Sequence, residues 1–95
     1  MARGVVRLGD LCSGHNGFPP RGNDMASPDT FCNNIPVHRV GDHWPTHQNK
    51  GKGHEALMAA GSPTVFVNNR PKARVGDAVS CGSFAAQGSL DTFIN

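Results

Sequence analysis

Residues 26–42 read ASPDTFCNNIPVHRVGD and residues 61–77 read GSPTVFVNNRPKARVGD. Ten of these 17 aligned positions are identical, far more than chance supplies at this length, so the chain carries an internal repeat. A truncated third copy, Gly88-Ser89-Leu90-Asp91-Thr92-Phe93-Ile94-Asn95, closes the sequence. Its missing half stands at the other end, where Val6-Arg7-Leu8-Gly9-Asp10 matches the RVGD ending of the full copies. The chain is thus a circularly shifted set of three units, opening on the tail of one unit and ending on its head.

Each unit reads as a β-hairpin. The Ser-Pro start breaks any preceding element, and Thr30-Phe31-Cys32 or Val65-Phe66-Val67 then supplies a short run of strand-forming residues. Asn33-Asn34 and Asn68-Asn69 tolerate the positive φ of a two-residue hairpin turn. A second strand is expected over Val37 to Val40 and Lys72 to Val75, with Pro36 and Pro71 at its start, where a missing N–H does no harm. A Gly-Asp turn ends it. The expected fold is all-β, a single domain over 1–95 of three hairpins joined by irregular segments at residues 11–25, 43–60 and 78–87. Phe31, Phe66 and Phe93 are equivalent across the copies and are expected to pack the interior, with contact to a partner as the alternative. Arg7, Arg39 and Arg74 are equivalent too, and are expected to tie down the Gly-Asp turns.

Composition narrows the function classes. Gly (12) and Pro (7) make up a fifth of the 95 residues, which argues against a helical bundle. The net charge of +2 does not suggest a chain kept unfolded by charge. The longest apolar run, Ala56 to Ala60, is far short of the roughly 20 residues that span a bilayer. No apolar segment follows Arg3 and Arg7 as it would in a secretory signal, so synthesis in the cytoplasm is expected. With one Trp, no Tyr and five Phe, the core is thin, and small thin cores need a staple. Three cysteines cannot all pair within the chain, which turns attention to the five histidines.

The connectors carry the candidate ligands at matching offsets. His15 follows Asp10 by five residues, His47 follows Asp42 by five, and Cys81 follows Asp77 by four. Three units around a pseudo-threefold axis bring these side chains together, and the spare His54 of the longest connector completes a tetrahedral set. Three imidazoles and one thiolate suit a structural Zn2+, with Fe2+ as the alternative ion. His43 and Cys12 are the alternates for membership. Cys12 makes a short pair with His15, yet its repeat equivalents, Trp44 and Val79, are apolar. His38 aligns with Ala73 and belongs to a strand. Cys32 aligns with Val67 and reads as a small buried hydrophobe.

Other chemistry is poorly represented. The sequence contains neither GxxxxGK[ST] nor GxGxxG. Lys50-Gly51-Lys52 is a small basic loop without the aromatic platform of a nucleic-acid binder, so no nucleic-acid partner and no small-molecule substrate are expected. A Cys/His hydrolase built on Cys12 or Cys81 needs a cleft that short hairpins do not offer, and the HxxE pattern of a zinc-protease helix is missing, His54-Glu55 standing alone before helix-forming Ala56-Leu57-Met58-Ala59. Catalysis is not expected.

The repeated unit, the GDxxxxH and GDxxSCG connectors and the overall length resemble the PAAR-repeat proteins, the tips of phage tail spikes and type VI secretion spikes. The signature itself stands as Pro36-Val37-His38-Arg39 and Pro71-Lys72-Ala73-Arg74. The resemblance implies a small conical fold of three pseudo-threefold-related units, with zinc held near the apex by three histidines and one cysteine. It implies a structural protein, one chain capping a trimeric β-helical spike, with the bacterial outer membrane as the transient target that the tip helps to pierce. The segment Cys12 to Arg21 and the lack of an effector extension resemble the compact phage-type members, so the chain is expected on a virion tail baseplate, with the type VI apparatus as the alternative. A free zinc-binding interaction module, or a carrier that docks cargo on a spike, is the second reading, and a small Cys/His enzyme the third.

Overall fold

The computed structural model describes residues 2–95. Among the described residues eight strands form four antiparallel pairs: β1 (Arg3–Gly4), β2 (Phe31–Cys32), β3 (Ile35–Pro36), β4 (His43–Asn49), β5 (Lys52–Leu57), β6 (Phe66–Val67), β7 (Arg70–Pro71) and β8 (Phe93–Ile94). The pairs are β2–β3, β6–β7, β4–β5 and, closing the chain, β1–β8. Registers repeat: Phe31 faces Pro36, Phe66 faces Pro71 and Phe93 faces Gly4. The split third unit is therefore assembled from the two ends of the chain.

Local chemistry sets each unit. Asn33, Asn34, Asn68 and Asn69 all adopt positive φ, between 52° and 65°, as the two-residue turns require. The hydroxyls of Ser27, Ser62 and Ser89, all buried, accept hydrogen bonds from the amides two and three residues on, at 2.9–3.3 Å. These turns orient the chain into each first strand, which is the role of the Ser in the repeat. Arg7, Arg39 and Arg74 each form a two-pronged ion pair with the aspartate three residues on, whose Oδ2 also accepts the arginine's own amide.

The units join around a pseudo-threefold axis. Val6 N–H donates to Ala73 O (3.1 Å), Ala73 N–H to His38 O (3.0 Å) and His38 N–H to Val6 O (3.0 Å), a closed ring of three equivalent positions. A second ring links Leu8 N–H to Pro36 O, Val40 N–H to Pro71 O and Val75 N–H to Gly4 O at 2.8–2.9 Å. Edge groups that a lone hairpin would leave open are thus satisfied by the next unit.

The core follows the same symmetry. One apolar cluster holds Val5, Val37, Cys32 and Val67, with Ile94 packed against it; Cys32, Val67 and Ile94 are repeat equivalents. The other holds Val6, Ala73, Cys12, Trp44, Val79, Ala56, Met58 and Ala85, including the equivalent trio Cys12, Trp44 and Val79. Cys32 and Cys12 are both buried here, each within an apolar cluster.

Three expectations need correction. Residues 43–60 are not an irregular connector: they hold the longest hairpin, and Ala56–Leu57 belongs to strand rather than helix. Positive φ at Lys50 (54°) and Gly51 (80°) makes its tight turn, and a register shift between Trp44 and His47 accommodates Pro45. The second strand of each full unit is β3 or β7, and Val37 to Val40 instead bridges to neighbouring units, Val37 to Arg7 and Arg39 to Lys72. Finally, Phe31, Phe66 and Phe93 do not pack the interior: they are 56%, 56% and 55% exposed. Strand alternation sends the following residue inward in each case, Cys32, Val67 or Ile94, and the phenylalanine outward.

Candidate metal centre

His15, His47, His54 and Cys81 each offer a ligand atom, and these four atoms all lie within 4.8 Å of one another. Different local devices deliver them. His47 and His54 face each other directly across the β4–β5 hairpin. His15 opens a tight turn closed by mutual backbone hydrogen bonds with Phe18, with Asn16 and Gly17 at positive φ between them. Cys81 sits in a turn closed by Gly82 N–H to Val79 O (3.1 Å) and Val79 N–H to Ser83 O (2.9 Å).

The imidazoles converge through their Nε2 atoms, which lie 3.0 Å apart for His15 and His54 and 2.7 Å apart for His47 and His54. His47 Nδ1 lies 2.8 Å from the carbonyl of Pro19, which can only accept, so the proton sits on Nδ1 and the Nε2 lone pair faces inward. The 3.2 Å approach of Arg21 Nη1 to that same Nδ1 is then a contact between two donors rather than a hydrogen bond. His54 Nε2 carries at most one proton, yet it faces two other ring nitrogens. A cation among these nitrogens resolves the conflict, and the donor set fits one.

Electrostatics favour the same protonation states. Burial, opposed by the Pro19 hydrogen bond and reinforced by the charge of Arg21, holds His47 below the usual histidine range. Desolvation, with the charges of His47, His15 and Arg21, does the same for His54. At Cys81 burial opposes the thiolate, but hydrogen bonds from Ser83 and from Arg21 outweigh it, and the thiol sits below its ordinary value. The neutral forms of His47 and His54 and a more easily ionised Cys81 are what a metal ion requires.

Neither alternate joins the cluster. His43 spans Asp24 (2.7 Å) and Glu55 (3.0 Å) with its two ring nitrogens. Cys12 is 1% exposed, and its Sγ accepts from Arg21 Nη1 at 3.2 Å. His38 is fully buried, hydrogen-bonded through Nδ1 to Met25 O at 2.7 Å and packed edge-on against Trp44.

Two residues that sequence reasoning missed complete the surroundings. The Phe18 ring lies against all three imidazoles, 5.1, 5.0 and 4.4 Å from those of His15, His47 and His54. Arg21 touches Cys12, Pro45 and Cys81. Both lie in the first connector outside the repeat, so no alignment between units could single them out.

No curated protein matches the chain. The family described as PAAR motif matches residues 23–94, three quarters of the sequence. The chain therefore belongs to the PAAR-motif family, structural spike-tip proteins of contractile injection machines such as phage tails and type VI secretion systems.

Proposed function

We propose that the protein is a metal-stabilised tip that caps a trimeric β-helical spike, one chain per trimer, and helps to pierce a bacterial outer membrane. The observation that carries this reading is the convergence of four ligand atoms from separate turns and strands within 4.8 Å. His15, His47, His54 and Cys81 hold the ion, Zn2+ by the softness of the thiolate, with Fe2+ as the alternative. The ion supplies coordinate bonds where few residues surround the axis and apolar packing runs out. The side chains do the rest: Pro19 fixes the His47 tautomer, and Phe18 shields the rings from water.

Attachment to the spike uses the other part of the molecule. The two-residue strands that carry Phe31, Phe66 and Phe93 do not touch β4 or β5, so these rings lie apart from the histidine-bearing hairpin, which joins the units through Trp44 and Ala56 in the core. Three equally exposed rings at pseudo-threefold positions match three identical subunits, and they cover the open strand edges with which a β-helical trimer ends. The proposed site of assembly is a phage tail baseplate, with the type VI apparatus as the alternative. Mixing the metal-loaded protein with a trimeric spike end tests the proposal. A stable complex of one chain per trimer supports it, and one chain per subunit, or no complex, sinks it.

A further inference from the structure

Arg21 is a buried cation of an unusual kind. It is 8% exposed, and among the described residues no carboxylate oxygen lies within 4.0 Å of it, whereas Arg3, Arg7, Arg39, Arg70 and Arg74 all meet an aspartate. Its donors go elsewhere: Nε to the Pro45 carbonyl, Nη1 to Cys12 Sγ at 3.2 Å and Nη2 to Cys81 Sγ at 3.7 Å. The Arg21 amide also donates to Cys12 Sγ, at 3.4 Å, and the guanidinium carbon lies 5.7 Å over the Trp44 ring. A buried guanidinium is costly unless anions or strong acceptors face it. Here the facing groups are two sulfurs, a carbonyl, an aromatic face and the Nδ1 edge of His47.

We propose that Arg21 is a positioning residue for the metal centre, holding the Cys81 sulfur in its ligating orientation through an N–H···S hydrogen bond. This inference rests on the metal reading above. Pro45, Cys12 and Trp44 engage the rest of the guanidinium, and its remaining amino group, Nη2, meets Cys81 Sγ at 3.7 Å. Such a bond withdraws electron density from the sulfur, which raises the energy of sulfur-to-metal charge transfer and slows attack by the sulfur on electrophiles.

The test loads the full chain with cobalt(II). Arg21→Met should move the charge-transfer band to longer wavelength and speed alkylation of Cys81 about tenfold, the size expected for losing a hydrogen bond to a charged group. Arg21→Lys, which keeps one donor and the charge, should fall between. Wild-type protein loaded with cadmium-113 provides a readout that needs no variant: scalar coupling between the ion and the Arg21 guanidinium protons, transmitted through sulfur. If Arg21→Met fails to fold, the lysine variant and this coupling decide. Cobalt uptake with an unshifted band and an unchanged alkylation rate in the variants, or no cadmium coupling alongside a wild-type-like Arg21→Lys, overturns the role of Arg21 alone. No cobalt uptake by the wild type overturns the metal centre and this inference with it.

Discussion

Asp42 is fully buried and takes both prongs of the Arg39 guanidinium, Nε to Oδ2 and Nη2 to Oδ1, each at 2.9 Å. Arg70, from the neighbouring unit, adds a third contact to Oδ1 at 3.0 Å. The ion pair thus fixes the Gly-Asp turn and also staples two units together. Asp42→Ala orphans one buried and one half-exposed guanidinium and is expected to cost about 3–5 kcal/mol. Asp10→Ala should cost less, because its partner Arg7 is more exposed, 16% against 6% for the Arg39 side chain. Chemical denaturation of the metal-loaded variants gives the comparison; equal losses would show that burial does not set the strength of these pairs.

Metal removal should be drastic. A structural zinc contributes roughly 10–16 kcal/mol in small peptides, so a strong chelator should lower the melting temperature by tens of degrees. His54→Ala and Cys81→Ser should lose the ion. Cys12→Ala should keep one ion per chain while losing some core stability. Elemental analysis beside thermal melts checks all three, and a chelated sample that melts with the loaded one contradicts the zinc proposal.

The exposed phenylalanines separate folding from docking. Phe31→Ala, Phe66→Ala and Phe93→Ala should each change stability by no more than about 0.5 kcal/mol, as surface substitutions do. Each should weaken binding to a trimeric spike end about tenfold, the loss of an interface anchor. Titration of the spike with each variant reads this out. Three comparable losses fit threefold docking, and a loss confined to one position does not.

His43 provides a pH dependence away from the ligand set. Its hydrogen bonds to Asp24 and Glu55 outweigh desolvation and raise its pKa above the ordinary histidine value. A raised folded pKa means that protonated His43 stabilises the fold below about pH 6.5, the unfolded value. That contribution is lost as pH rises through the folded value. Both carboxylate partners are solvent-exposed, so the effect is at most about 1 kcal/mol. The stability difference between wild type and His43→Gln should be largest near pH 5.5 and vanish at alkaline pH; a difference that grows with pH would contradict the assignment.

Much of the fold was legible because repetition exposes equivalent positions. Asn33-Asn34 and Asn68-Asn69 announced their turns, and Arg39 and Arg74 their aspartates, because these are contacts within a few residues. The offsets of His15, His47 and Cys81 from their Gly-Asp turns foretold a meeting that the structure produces. The long hairpin was missed because Pro45 and Gly53 interrupt its alternation, and because the apolar run from Ala56 suits helix and strand alike.

The amino-acid sequence by itself determined the three units, their turns and the short set of candidate ligands, with His43 and Cys12 still among them, since spacing along a repeated chain becomes symmetry in space. Tertiary structure alone decided that Phe31, Phe66 and Phe93 face outward, that Cys12 is drawn into the core while Cys81 meets the histidines, and that Phe18 and Arg21 enclose the cluster. Those outcomes depend on which neighbouring unit occupies each face, through the closed hydrogen-bond ring of Val6, His38 and Ala73. No spacing within one unit encodes that arrangement.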